Sequence, residues 1–153
     1  MAERIAIFPG SFNPFTIGHK SVVDRALPLF DRLIIAIGVN AEKADAAAEQ
    51  TRQLVYSIRD LYAGDPRVEV CAYHGLTTEL ARERGARWIL RAVRTVKDFE
   101  YEAQLADINR RLTGIETLLL FSLPEHASIS SSVVRELASY GVDTSPFIPQ
   151  INQ

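Results

Sequence analysis

The sequence predicts an α/β fold in which helices cover both faces of a doubly wound, five-stranded parallel sheet. Five short runs of aliphatic or β-branched residues recur along the 153 residues, and amphipathic stretches separate them. This alternation of strand and helix patterns is typical of parallel sheets. Some runs are apolar at nearly every position, as strands buried on both sides are. The chain contains no internal repeat, low-complexity tract or linker, so residues 1–153 are expected to form one domain.

The predicted elements follow one another in regular order. The strands are RIAIF (4–8), RLIIAIGV (32–39), RVEVCAY (67–73), RWILRAV (87–93) and ETLLLFS (116–122). The helices are predicted within residues 18–30, 49–63, 76–85, 95–112 and 131–141. Residues 40–50 are polar and rich in alanine, and they are predicted to form a mobile loop that leads into the second helix.

The helix at 95–112 has the clearest period. Its apolar residues recur at helical spacing along one stripe, formed by Val96, Phe99, Ala103 and Ala106. Thr95 is suited to cap the amino end of this helix, and Gly114 is suited to end it.

Composition excludes several classes of protein. The chain is 47% hydrophobic and 24% charged, as ordinary globular proteins are. A net charge of −2 argues against a general nucleic-acid binder, which has a basic surplus. The sequence has no signal-peptide pattern and no apolar run long enough to span a membrane. The single cysteine, Cys71, cannot form an internal disulfide, so a reducing, cytoplasmic location without membrane partners is expected.

Polar side chains are concentrated immediately after the predicted strands. They lie in residues 8–19, 40–43, 73–77, 91–94 and 122–132, which are rich in Ser, Thr, His, Lys and Arg. Rossmann-like open sheets bind ligands in the crevice at the carboxyl ends of their strands, near the point where strand order reverses. We therefore expect these segments to line one site.

The first of these segments, FPGSFNPFTIGH (8–19), connects the first strand to the first helix. Gly10 allows the backbone to turn tightly or to approach a ligand. Thr16 is predicted to cap a helix that begins near Ile17, with His19 in its first turn. The free N–H groups and the dipole of such a helix end favour an anion. The spacing fits neither a dinucleotide-binding fingerprint nor a P-loop. By itself, the turn suits a structural role equally well.

With Thr16 to His19 (TIGH), the chain resembles the [HT]-x-G-H superfamily of nucleotidyltransferases. LRAVRTVKDFEYEAQLADINRRL (90–112) and SISSSVVREL (128–137) are similar to segments of the bacterial phosphopantetheine adenylyltransferase family, in the same order and spacing. The resemblance implies transfer of an adenylyl group from ATP to 4′-phosphopantetheine, giving dephospho-coenzyme A and pyrophosphate, with Mg²⁺. It also implies a homohexamer built from two trimers and product inhibition by coenzyme A.

The resemblance also implies roles for individual residues. His19, Lys43 and Arg91 would be catalytic, with His19 stabilising charge on the transferring phosphoryl group. The residues expected to bind phosphopantetheine are Ser11, Lys43, Thr77 and Arg91. The residues expected to bind ATP are Ser11, Phe12, His19, Ala92, Val93, Arg94, Glu102, His126, Ala127, Ser128, Ile129, Ser130, Ser131 and Ser132. The sequence shows no metal-binding motif, so Mg²⁺ is expected to arrive with ATP, with Asp98 orienting Arg94 or a hydrated ion.

The implied chemistry is mainly electrostatic. The acceptor is a phosphate monoester that carries a charge of about −1.5 to −2 at neutral pH, so it needs no general base. Two like charges at ~4 Å repel by roughly 4 kcal/mol at an effective dielectric of 20. Neutralising this repulsion and aligning the two reactants are therefore expected to supply most of the catalysis.

The sequence departs from the family pattern at several positions. Residues 43–52 lack the usual pattern after the lysine, Ala92 stands where Gly is usual, Asn13 where Asp is commoner, and His126 where Trp is frequent. Nicotinate mononucleotide adenylyltransferase is the nearest rival function, although Thr16 and the DFEYE segment favour phosphopantetheine. A nucleotide-binding regulator without catalysis and an assembly scaffold are the alternatives from other classes.

Overall fold

Five parallel strands form one sheet in this computed structural model, which describes residues 2–40 and 44–151, excluding the side chains of 44–47. The strands are β1 (Ile5–Gly10), β2 (Arg32–Gly38), β3 (Val68–Tyr73), β4 (Trp88–Val93) and β5 (Glu116–Phe121). The helices are α1 (Ile17–Ala26), α2 (Ala44–Leu61), α3 (Thr77–Glu83), α4 (Val96–Thr113) and α5 (Ser131–Ser139). The predicted α/β class and parallel sheet are confirmed.

Strand order reverses between β1 and β4. The sheet has the order β3-β2-β1-β4-β5, so the chain builds outward from β1 to β3 and then returns to the other side of β1. β1 pairs with β2 along six positions, from Ile5 to Gly10, but with β4 only at Ala6 and Ile7. Beyond Ile7 the strands β1 and β4 therefore separate, and a crevice opens at their carboxyl ends.

Two apolar clusters cover the two faces of the sheet. Successive side chains of a strand point to opposite faces, so Phe8 and Ile7 belong to different clusters. The cluster around Phe8 joins the sheet to α1 and α2, and the cluster around Ile7 joins it to α3, where Leu80 is buried. Burial on both faces explains why the strand sequences are apolar almost throughout.

α4 differs from the other helices because its apolar residues are mostly exposed. Of its described residues only Glu102 is buried, and Val96 and Phe99 of the predicted apolar stripe are exposed. The helix begins and ends as predicted: the Thr95 hydroxyl accepts a hydrogen bond from the Asp98 N–H, and Gly114 adopts the left-handed conformation. The pattern correctly predicted a helix, but this chain leaves its apolar stripe uncovered.

The loop predicted before the second helix is wrong for 44–48, because α2 already begins at Ala44. Alanine has the highest helix propensity of all residues, so the alanine-rich stretch favours helix. Residues 41–43 lie outside the described part of the chain.

Within the described ranges, no helix combines the length and apolarity needed to cross a membrane.

Candidate active site

A cleft of about 360 Å³ lies at the carboxyl ends of β1 and β4, where the two strands separate. Three segments of the chain form the walls of this cleft. The β1–α1 turn contributes Ser11, Phe12 and His19. The end of β4 and the first turns of α4 contribute Arg91, Ala92, Arg94, Asp98 and Glu102. The start of α5 and the segment before it contribute His126, Ile129, Ser130, Ser131, Ser132 and Arg135.

The β1–α1 turn is held in place by aromatic packing. Phe12 is 2% exposed and adopts a left-handed backbone conformation with φ of +47°, which is uncommon for a bulky residue. Its ring packs edge-on against Phe8 and His19, with centroids 5.2 and 5.0 Å away. A Cβ at Gly10 would lie 2.9 Å from this ring. The turn therefore requires a glycine at position 10.

His19 is oriented by the residue that caps its helix. The backbone N–H of Thr16 donates to His19 Nδ1 at 2.9 Å, and the Thr16 hydroxyl accepts from the His19 backbone N–H at 3.3 Å. Because Nδ1 accepts a hydrogen bond, the neutral ring carries its proton on Nε2. Burial, with a smaller contribution from the positive charge of Arg94, lowers the pKa of His19 from 6.5 to about 4. At neutral pH His19 is therefore an uncharged N–H donor.

Arg91 is fixed by two acceptors. Its Nε lies 3.0 Å from both carboxylate oxygens of Glu102, and its Nη2 lies 2.7 Å from Oε1. Its Nη1 donates to the carbonyl of Pro9 at 3.1 Å. Glu102 is 5% exposed, and the ion pair with Arg91 compensates the charge of its buried carboxylate. Bidentate contacts of this kind hold a guanidinium in one plane.

Arg94 is tethered more loosely than Arg91. Its Nε lies 3.6 Å from Asp98 Oδ2, and the same oxygen accepts the Arg94 backbone N–H at 3.2 Å. Both side chains are about one third exposed. A side chain held at this distance can turn toward a phosphate without losing a close ion pair.

The start of α5 is joined to the β1–α1 turn. The Ser130 hydroxyl caps α5 by accepting the Val133 N–H at 3.2 Å, while the Ser131 hydroxyl donates to the carbonyl of Pro14 at 2.8 Å. Ser hydroxyls and the free N–H groups of a helix start favour phosphate oxygens. The predicted serine segment and the predicted turn therefore face one space.

Several predicted site residues lie elsewhere. Val93, Ala127, Ser128 and Thr77 are not among the residues that line the cleft. Thr77 begins α3, and its hydroxyl lies 2.7 Å from the hydroxyl of Tyr73. The Tyr73 ring reaches back over β2, where a Cβ at Gly38 would lie 3.7 Å from the Tyr73 hydroxyl and 3.9 Å from the Gly10 carbonyl. Lys43 lies outside the described residues, and the ligand assignments of all these residues stay predictions.

Arg135 lines the cleft although the sequence analysis did not select it. It follows Ser131 by four residues on α5, so the two side chains share one face of the helix. That spacing was the signal available in the sequence, but a lone arginine on a predicted helix is most often a surface residue.

Comparisons with known proteins give one consistent family. The family described as cytidylyltransferase-like matches residues 7–137. A phosphopantetheine adenylyltransferase of Phocaeicola vulgatus is 54% identical over 147 residues, covering 96% of each chain. Proteins with the same name are 47% identical in Porphyromonas gingivalis, over 98% of this chain and 97% of that one, and 40% identical in Leuconostoc citreum, over 96% and 92%.

A solved structure shares the fold. It is a bifunctional NMN adenylyltransferase/ADP ribose pyrophosphatase from Francisella tularensis, with a TM-score of 0.68 and 16% identity, and the match covers 96% of this chain and 45% of that one. At such low identity the similarity shows the fold alone. The family match and the near full-length relatives confirm the resemblance seen in the sequence. The chain therefore belongs to the phosphopantetheine adenylyltransferase family of cytidylyltransferase-like proteins.

Proposed function

We propose that this chain transfers the adenylyl group of ATP to 4′-phosphopantetheine, which produces dephospho-coenzyme A and pyrophosphate. One observation carries the proposal: His19, Arg91 and Arg94 meet in one cleft of a chain that is 54% identical to a phosphopantetheine adenylyltransferase. Two mutually repelling phosphate compounds need a site of this kind, with positive charges and an aligned N–H donor.

The reaction is a direct displacement at the α-phosphorus. An oxygen of the acceptor phosphate forms a new bond to this phosphorus, and the bond from the phosphorus to the bridging oxygen of the β-phosphate breaks. The electron pair of the broken bond leaves with pyrophosphate. No proton has to be removed from the acceptor, because its phosphate is already ionised at neutral pH.

Three residues of the cleft have defined tasks in this step. His19 donates from Nε2 to the oxygens of the transferring phosphoryl group, because the bond that Nδ1 accepts from the Thr16 N–H keeps the proton of the neutral ring on Nε2. Arg91, held by Glu102 and Pro9, keeps its remaining N–H groups for the acceptor phosphate. Arg94 moves from Asp98 toward ATP. A donor aimed at developing charge contributes about 10²- to 10³-fold in rate.

The acceptor is expected to lie on the β1 side of Arg91. Ser11, in the β1–α1 turn, and Lys43, in the segment after β2, are proposed to bind its phosphate. Thr77 is proposed to bind its pantetheine arm. Coenzyme A contains the same arm, which supports its proposed action as an inhibitor.

Magnesium is proposed to enter with ATP. Mg²⁺ favours one or two carboxylates together with phosphate oxygens and water, and the carboxylate of Asp98 lines the cleft. Among residues 2–40 and 44–151, no three His, Cys, Asp or Glu side chains are grouped so that they could hold a metal ion by themselves. The donor set therefore fits an ion that shares its ligands with the triphosphate, which it would partly neutralise.

A homohexamer of two trimers is proposed as the assembly. Four apolar residues on one side of α4 are between 37% and 77% exposed: Tyr101, Leu105, Ile108 and Leu112. Their spacing of three or four residues makes one stripe along the helix. Contiguous exposed apolar surface of this kind is typical of contacts between chains.

The single cysteine supports the proposed cytoplasmic location.

A turnover assay tests the function. The protein is incubated with ATP, Mg²⁺ and either 4′-phosphopantetheine or nicotinate mononucleotide, and pyrophosphate release is measured. We expect release with 4′-phosphopantetheine alone. Release with the mononucleotide alone would instead identify the rival adenylyltransferase, and ATP binding without release from either acceptor would identify a nucleotide-binding regulator.

A further inference from the structure

Two side chains of α5 are hydrogen-bonded to the turn that precedes His19. Nη1 of Arg135 donates to the carbonyl of Asn13, and the hydroxyl of Ser131 donates to the carbonyl of Pro14 at 2.8 Å. Arg135 follows Ser131 by four residues, so the two side chains leave the same face of the helix. Their acceptors are consecutive carbonyls of the β1–α1 turn. We call these two hydrogen bonds the α5 clamp.

The helix that supplies the α5 clamp is itself fixed to the body of the protein. Its side chain Val134 is buried, with 3% exposed, and its amino end is capped by the hydroxyl of Ser130. The segment before the helix also lies against α1, because a Cβ at Gly18 would be 3.7 Å from the Cβ of His126. The clamp therefore joins the turn to a firmly packed support.

The clamped part of the turn leads directly to the groups that orient His19. Phe15 follows Pro14 in the chain, and its ring stacks on the imidazole with centroids 5.4 Å apart and an interplanar angle of 28°. The next residue, Thr16, donates its backbone N–H to Nδ1 of His19 at 2.9 Å. A displacement of the clamped carbonyls would move both the ring and this N–H. The orientation of the imidazole therefore depends on where the clamp holds the turn.

Arg135 contributes to this arrangement from the surface. The residue is exposed, and its partners among the described residues are the Asn13 carbonyl and the Ser132 hydroxyl, with no carboxylate. An exposed side chain of this kind buries little apolar surface, and most substitutions at such positions change the free energy of unfolding only slightly. Its loss should therefore alter the position of the turn without unfolding the protein.

We propose that Arg135 is a positioning residue, which holds the β1–α1 turn through the α5 clamp so that Nε2 of His19 stays aligned with the transferring phosphoryl group. The catalytic part of this inference rests on the proposed adenylyl transfer. Arg135 acts through Asn13 and the turn, and it forms no bond to the reacting atoms. An aligned donor stabilises the transition state more than the bound substrates, so the loss of alignment should lower kcat rather than raise KM.

Steady-state kinetics test the catalytic part. We expect Arg135→Gln to lower kcat about tenfold to hundredfold, with the KM of ATP and of phosphopantetheine within about twofold of the unmodified values. Arg135→Lys, which keeps a charged donor, should recover part of the loss. Arg59→Gln is the matched control, because Arg59 also donates to a main-chain carbonyl, that of Val70 on β3 at 3.0 Å, and it should change none of these constants. An unchanged kcat in Arg135→Gln, or an unchanged kcat with a raised KM of ATP, would overturn the proposal.

Hydrogen exchange measures the position of the turn without any substrate. The Thr16 amide is the donor to His19 Nδ1, and exchange of individual amides, followed by NMR, reports local opening. We expect this amide to exchange about tenfold faster in Arg135→Gln and in Ser131→Ala, while the amides of the buried strand β2 keep their rates. Equal acceleration at Thr16 and in β2 would show general destabilisation and would reject a positioning role, as would an unchanged rate at Thr16.

The two measurements together separate this inference from the proposed function. If the unmodified protein releases no pyrophosphate from ATP and phosphopantetheine, yet Arg135→Gln accelerates exchange at Thr16 alone, the proposed function fails and the structural role of the α5 clamp is retained. If the unmodified protein turns over but the Thr16 amide exchanges equally in both proteins, the inference fails and the proposed function stands.

Discussion

Glu102 holds the guanidinium of Arg91 by two parallel contacts, with Nη2 to Oε1 at 2.7 Å and Nε to Oε2 at 3.0 Å. The carboxylate is almost fully buried, whereas the Arg91 side chain is one third exposed. Glu102 was predicted to contact ATP, and that contact is still a prediction. The observed pair makes Glu102 a residue that positions Arg91 within the cleft.

The pair predicts a specific effect of Glu102→Gln. The amide keeps the shape of the side chain but loses the charge that strengthens its hydrogen bonds, and a charge-assisted bond contributes about 1.5–3 kcal/mol. If Arg91 binds the acceptor, kcat/KM for phosphopantetheine should fall about tenfold to hundredfold, with a smaller change in the KM of ATP. Glu100→Gln removes an exposed carboxylate from the same helix and should leave both constants unchanged. A larger effect on ATP than on phosphopantetheine would instead support a direct contact of Glu102 with ATP.

His19→Ala removes the N–H donor that faces the cleft. We expect kcat to fall about 10²- to 10³-fold, while the protein still folds and still binds some ATP. Single-turnover measurement of pyrophosphate release, together with circular dichroism, would check both expectations. Full activity in a folded variant would exclude the proposed role of His19.

The lowered pKa of His19 makes stability depend on pH. Between the unfolded-state pKa of 6.5 and the folded-state pKa of about 4, the unfolded chain binds a proton that the folded chain does not. The free energy of unfolding therefore decreases as pH falls from about 6.5 to 4, by up to about 3 kcal/mol from this group. Urea unfolding across this range should show a weaker decrease in His19→Gln, which has no ionisable ring. Identical pH dependence in the two proteins would contradict the burial of a neutral imidazole.

Gly10→Ala tests the packing of the first turn. The added Cβ would lie 2.9 Å from the Phe12 ring, and overpacking of a filled core costs about 1–3 kcal/mol. Gly64→Ala adds the same methyl group where no atom lies within 4 Å, so it should be neutral or slightly stabilising. Comparison of the two variants by urea unfolding measures the difference, and equal stabilities would show that Phe12 can move aside.

A charge on the exposed stripe of α4 tests the proposed assembly. Ile108→Glu places a carboxylate among the exposed apolar residues, and an uncompensated charge in an apolar contact is strongly unfavourable. We expect this variant to be smaller than the unmodified protein in multi-angle light scattering. Leu29→Glu introduces the same side chain at an exposed leucine between α1 and β2, so it should leave the mass unchanged. An unchanged mass in Ile108→Glu would place the interface elsewhere.

The sequence alone determined the order and type of the elements, because these depend on interactions between residues close in the chain. Strand runs and helical periods are local patterns, and the contact between Thr16 and His19 spans three residues. The predicted strands and the caps at Thr16 and Thr95 were therefore confirmed. The loop predicted at 44–48 was wrong at the same local level, because the helix propensity of its alanines was given too little weight.

Only the tertiary structure decided which strands are neighbours and how far they separate. The order β3-β2-β1-β4-β5 places β1 between β2 and β4, and the short pairing of β1 with β4 opens the cleft beside β1. The contact between Arg135 and Asn13 joins residues 122 positions apart, and no local pattern predicts such a pair. The partner of a charged side chain depends on the packing of whole elements, so the balance of charge in the cleft could be found only in the folded chain.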